Sequence, residues 1–94
     1  MLIIELTYIK PLELINQHLE AHKAFLNKHY DQKHFLASGA KVPREGGVIL
    51  ALGTRNDMEQ IIKEDPFYQN NLAEYRIIEF SPTLYTDDFK SLID

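Results

Sequence analysis

The sequence predicts an α+β domain: a four-stranded antiparallel sheet, elements in the order β-α-β-β-α-β, and both helices on one face. Three observations predict it. The stretch from Pro11 to Tyr30 repeats apolar residues at helical spacing. The run VILAL, Val48 to Leu52, is nearly continuous apolar sequence after a breaker-rich segment, as a buried central strand requires. A second helical pattern follows at Met58, Ile61 and Ile62, and a strand-like run, AEYRIIEF, follows that.

Each element has its local reason. Met1 to Tyr8 reads as a strand through Leu2, Ile3, Ile4, Leu6 and Tyr8. Pro11 suits the first turn of the long helix, because its missing N–H has no partner there in any case. Asp31 to Lys33 is a polar turn, and Phe35 to Val42 is a second strand carrying Ser38 and Gly39. Pro43 to Gly47 (PREGG) is a hairpin-like turn. Gly46 and Gly47 belong to that turn on this reading; they lack the GxGxxG spacing of a phosphate loop. Thr54 is the N-cap of the second helix, with Asp57 in the capping-box position. Asp65-Pro66 ends that helix, since a residue before proline is biased away from helical angles. Phe67 to Leu72 is room for one more helical turn, Ala73 to Phe80 is the last strand, and Ser81-Pro82 stops it. This order is the split-βαβ, ferredoxin-like pattern. It leaves one sheet face open, and strands this apolar call for a cover. A second copy of the chain is the natural one, so a homodimer is expected.

Ninety-four residues imply one domain, 1–94, whose last part, 84–94, is a tail with apolar residues of its own. A chain of this size buries roughly two-thirds of its unfolded surface, so association is a useful supplement. The net charge is −4 with no basic cluster, which argues against nucleic acid. There is no cysteine, hence no disulfide framework and no thiolate chemistry. MLIIELTYIK is too short, and too interrupted by Glu5, for a signal peptide. No run of about 20 apolar residues could span a membrane. The expected location is the cytoplasm.

His22 stands out among the candidate site residues. At ~100° per residue it falls about 20° from Ile15 and about 40° from Leu26, near the centre of the apolar stripe. A titratable ring there needs a partner or a task. It is either a core histidine satisfied by neighbours or a general acid/base facing a pocket between helix and sheet. Asp65, in EDPF, is either a turn aspartate before proline or a carboxylate turned inward to orient an imidazole. On the residues alone the turn reading of Asp65 stands first, because spacing cannot bring it to His22. Phe67 and Tyr68 would wall such a site. Ser38-Gly39 marks either a simple bulge or a place where a ligand approaches the backbone. His18 and His22 are four apart, but HLEAH fits neither HExxH nor HxxEH, and no third ligand is suggested. No metal site is expected, and His18, His29 and His34 read as surface or half-buried residues.

The chain resembles the YCII-related family of small dimeric α+β barrel proteins. AHKAFL around His22, FLASGAKVPREGGVILA from Phe35 to Ala51, and EDPFYQNNLAEYRIIEFSPT from Glu64 to Thr83 carry the resemblance, which runs to about Tyr85. It implies a ferredoxin-like fold paired into a dimeric barrel. It implies a His-Asp dyad at His22 and Asp65, with Ser38 and Gly39 lining the pocket. The family is similar in fold to muconolactone isomerases and includes a dehydrochlorinase of a chlorinated hydroxyhydroquinone. This chain departs from many relatives at Ala40, where they carry proline.

Two functions of different class follow. The first is a cofactor-independent lyase or isomerase acting on a small substrate, an aromatic one included. His22 takes the proton, Asp65 orients it, Ser38 or a backbone N–H near Gly39 holds a substrate oxygen, and Phe67 is an apolar wall. The second is a non-catalytic small-molecule-binding or structural dimer module, in which His22 and Asp65 are a buried pair. Haem binding is a third option, disfavoured because His22 is committed to Asp65.

Overall fold

The computed structural model describes residues 1–93. Four strands, β1 (Leu2–Tyr8), β2 (Phe35–Ala40), β3 (Gly46–Ala51) and β4 (Ala73–Glu79), form one antiparallel sheet in the order β2-β3-β1-β4. The helices are α1 (Leu12–Gln17), α2 (Leu19–Asp31), α3 (Arg55–Ile62), α4 (Pro66–Gln69) and α5 (Asp87–Ile93). This is the expected ferredoxin-like α+β arrangement; the extra helical turn expected over Phe67 to Leu72 forms as α4, one residue earlier, and a further short helix lies in the tail.

Side-chain alternation sorts the sheet into two faces. Leu2, Ile4 and Leu6 of β1 and Ile49 and Ala51 of β3 point inward and are buried. They form one core with Ile15, Phe25, Met58, Ile61 and Phe67 from the helices. The opposite face carries Ile3, Val48, Leu50 and Ile78 among polar residues, with Val48 39% and Ile78 40% exposed. The VILAL run is therefore buried on one face only. Its continuous apolarity reflects a second face that this chain leaves uncovered.

The long helix differs from the expected single element over 11–30. It breaks at His18, whose N–H bonds back to the Ile15 carbonyl at 3.1 Å before the His22 N–H picks up the His18 carbonyl at 3.0 Å. One residue of tighter, i to i−3 winding interrupts the ladder. Apolar spacing does not reveal it, because Ile15 and Leu19 keep their phase across the break. At α3 the capping box forms as expected: Asp57 N–H donates to Thr54 Oγ1 at 3.1 Å, and Thr54 N–H to Asp57 Oδ2 at 3.4 Å. Asp65 is extended (φ −72°, ψ 123°), and Pro66 opens α4 at its first position.

Two corrections concern β2 and β3. The glycines of PREGG are not turn residues: Gly46 and Gly47 are the first two residues of β3. A Cβ at Gly46 would lie 1.8 Å from the Leu6 carbonyl oxygen, so close approach of β1 demands glycine there. β2 ends at Ala40 rather than Val42, and its bulge lies between Phe35 and Ala37 rather than at Gly39. The extra residue flips the alternation. Ser38 now pairs with Ile49 and shares its inward face, while Gly39 pairs with Val48 on the outer one.

Candidate active site

Asp65 is where the site begins. It closes the α3–α4 turn, is fully buried, and accepts three hydrogen bonds. Phe67 N–H donates to Oδ1 at 3.0 Å, capping α4. His22 Nδ1 also reaches Oδ1, at 2.8 Å, and Tyr75 hydroxyl donates to Oδ2 at 2.6 Å. A carboxylate only accepts, so His22 carries its hydrogen on Nδ1. In the neutral ring this leaves Nε2 as the free lone pair. Charge-assisted bonds of this length hold both partners firmly.

Phe67 does two things at once. Its backbone caps through Asp65, and its ring stacks on His22 with centroids 4.0 Å apart and planes 3° from parallel. It is the plate that fixes the imidazole plane, beyond the wall expected of it. His22 retains 12% side-chain exposure and lines a cavity of about 260 Å³, between α2, the β2–β3 hairpin and the sheet. Ser38 and Gly39 line the same cavity, and the Ser38 hydroxyl pairs with Tyr30 hydroxyl. The fold thus brings together His22, Asp65, Phe67, Ser38 and Gly39. Tyr68 lies outside the cavity, and its ring meets Tyr75 edge-on at 5.8 Å.

Tyr75 was not anticipated. It pairs with Leu6 on the inward face of β4, and a half-buried tyrosine hydroxyl needs a partner. The alternation Ala73, Tyr75, Ile77 was the available signal. Burial, then the negative charge of Asp65, pushes its phenol well above the ordinary tyrosine value. It therefore stays a proton donor to Asp65 at any working pH. Lys23 and Arg44, also in the cavity wall, were missed because nothing in their spacing marks them.

His29 needs correction: it is buried, not a surface or half-buried residue. It lies seven residues after His22, on the same side of α2. Its ring sits among Phe25 and Phe35, with Nε2 3.1 Å from Glu64 Oε1 and Nδ1 2.9 Å from His34 Nδ1. Glu64 therefore takes the Nε2 hydrogen, and in the neutral ring His29 Nδ1 accepts from His34. Lys28 Nζ donates to the same Glu64 oxygen at 2.6 Å. That bond, opposed by desolvation and helped by His29, holds the Glu64 carboxyl below its ordinary 4.5. A depressed folded pKa gives stability that is complete above the unfolded value and lost as pH falls through the folded one. Glu64→Gln should therefore flatten the fall of unfolding free energy below about pH 4.5. The effect is small, because Lys28 and Glu64 are both well exposed. Urea titrations of both proteins between neutral and acid pH measure it; identical slopes would refute it.

Among the described residues no group of three or more His, Cys, Asp or Glu is placed to hold a metal ion. Among them, too, no helix is long and apolar enough to cross a membrane. What the arrangement offers chemically is an imidazole of fixed tautomer, fixed plane and one free nitrogen, at the wall of a small cavity.

Comparison with curated proteins returned no match. Among solved structures, the fold is similar to 5-chloro-2-hydroxyhydroquinone dehydrochlorinase from Burkholderia phenoliruptrix AC1100, in complex with 2,5-dihydroxybenzoquinone. The TM-score is 0.71 at 15% identity, over 86% of this chain and 94% of that one. The family model described as YCII-related domain matches residues 1–81, and the chain belongs to that family.

Proposed function

We propose that this chain is a cofactor-independent enzyme of the lyase or isomerase type, moving a proton at His22 on a small ligand held in the cavity. The observation that carries the reading is the Tyr75–Asp65–His22 chain ending at the cavity with Nε2 free. Nε2 takes a proton from the ligand, and Asp65 stabilises the imidazolium that forms. The proton then returns to another ligand atom in an isomerisation. In an elimination the electron pair of the broken C–H bond becomes the new double bond, the leaving group departs as an anion with the pair of its own broken bond, and the imidazolium then gives its proton to water. Ser38 hydroxyl or a backbone N–H near Gly39 steadies a ligand oxygen. A similar fold in a dehydrochlorinase supports the choice of reaction class.

The test is turnover of 5-chloro-2-hydroxyhydroquinone and related proton-abstraction substrates, followed by chloride release or absorbance. His22→Gln should lower the rate about 10²–10⁴-fold and leave the unfolding midpoint near wild type. Equal rates in the two proteins would refute the acid–base role. One observation favours a second reading, a non-catalytic binding or structural module: Asp65 already serves as the cap of α4. On that reading His22→Gln mainly lowers stability.

The functional unit on this proposal is a homodimer, the second copy covering Val48, Leu50 and Ile78. Its burial of that face is the remedy for exposed apolar sheet surface. Sedimentation equilibrium at the mass of one chain would overturn it.

A further inference from the structure

Among the described residues the cavity wall carries charge of one sign: Lys23 and Arg44 line it, and no described aspartate or glutamate does. In a chain with 14 acidic and 10 basic residues, that is opposite to the overall balance. Asp65 is not part of this wall; it is spent on His22, Phe67 and Tyr75 behind it.

Among the described residues neither cation has a firm anionic partner. Lys23 lies 3.7 Å from Glu20, with the two side chains 57% and 92% exposed, a pairing of little strength. Arg44 donates from Nη2 to the neutral Asn16 Oδ1 at 2.7 Å, which ties the hairpin tip to α1. A guanidinium has five N–H donors in a fixed fork, so most remain for a second, anionic acceptor. Beside His22, Ser38 and Tyr8 the wall is mostly apolar: Leu19, Leu26, Ile49 and Phe67, with backbone at Gly46 and Gly47. The cavity, about 260 Å³, suits one substituted ring; an engineered apolar cavity of ~150 Å³ already takes benzene.

We infer that the cavity's ligand is a single-ring organic anion, a carboxylate or an ionised enol or phenol, whose charged group is held by Arg44 and Lys23 while its ring lies against Phe67 and Leu26 near His22. The inference rests on the cavity being the ligand site proposed above, but it does not need a reaction to occur. The two cations are specificity determinants on this account. They orient the ring, so that the carbon or oxygen carrying the mobile proton faces Nε2.

The test uses matched probes and the full chain. Benzoate and benzamide have the same size and differ in charge, and 2,5-dihydroxybenzoquinone adds an ionised enol. Each is titrated into ¹⁵N-labelled protein. Benzoate and the quinone should shift the amides of Gly39, Gly46, Gly47 and Lys23, and benzamide should bind about tenfold more weakly or worse. Arg44→Gln should weaken both anions by a similar factor, leave benzamide binding alone, and keep the unfolding midpoint. Added salt should weaken the anions only. Benzamide binding as well as benzoate, unchanged anion affinity in both Arg44→Gln and Lys23→Gln, or no cavity shifts with either anion would each overturn the inference. Anion binding without any turnover would leave the inference standing and refute the enzymatic reading instead.

Discussion

Asp65→Ala should lower the unfolding free energy by about 3–5 kcal/mol, the usual consequence of removing one partner of a buried hydrogen-bonded pair. Three donors converge on this fully buried carboxylate: Phe67 N–H, His22 Nδ1–H and Tyr75 hydroxyl. Alanine orphans all three and also uncaps α4. Asp65→Asn should lose much less. Its amide oxygen can keep the two bonds at the Oδ1 position, and the Tyr75 hydroxyl can rotate to accept from the new NH₂. The contrast separates hydrogen bonding from charge. Denaturant unfolding of both variants measures it. A loss under about 1 kcal/mol for alanine would mean that the network contributes no more than an ordinary surface contact.

Gly46→Ala should be the most damaging small substitution on the sheet. The added Cβ would stand 1.8 Å from the Leu6 carbonyl oxygen and 2.8 Å from its carbon. Both belong to backbone, so no rotamer change relieves the clash, and β1 must move away from β3. The expected loss is at the upper end of the ~1–3 kcal/mol typical of overpacking, or above it. Gly39→Ala is the control. Its Cβ meets nothing within 4 Å, so the change should stay within about 0.5 kcal/mol. Thermal and urea unfolding compare the two. Equal stability in both variants would show that β1 and β3 are not held this close.

Much of this molecule could be read along the chain. Apolar runs placed β1, β3 and β4, and Thr54 with Asp57 placed the start of α3, because these signals act between near neighbours. His22 announced itself by lying in an apolar stripe. Tyr75 was equally visible in the inward alternation of β4, had its hydroxyl been asked for a partner. The break at His18 and the Leu36 bulge were not visible. The first leaves the apolar spacing of the helix in phase, and the second inverts which β2 residues face inward, a shift that the short run FLASGA does not mark.

The amino-acid order by itself determined the α+β class, the element order and the need for His22 to be satisfied. Tertiary structure alone decided what satisfies it. His22 and Asp65 are 43 positions apart, and only the packing of the α3–α4 turn against α2 brings their atoms to 2.8 Å. The same holds for His29 and Glu64, and for Ser38, whose direction depends on a single extra residue in β2. Periodicity and capping are local and leave their mark in sequence. A contact between distant segments depends on how the whole core closes, and short-range pattern carries no record of that.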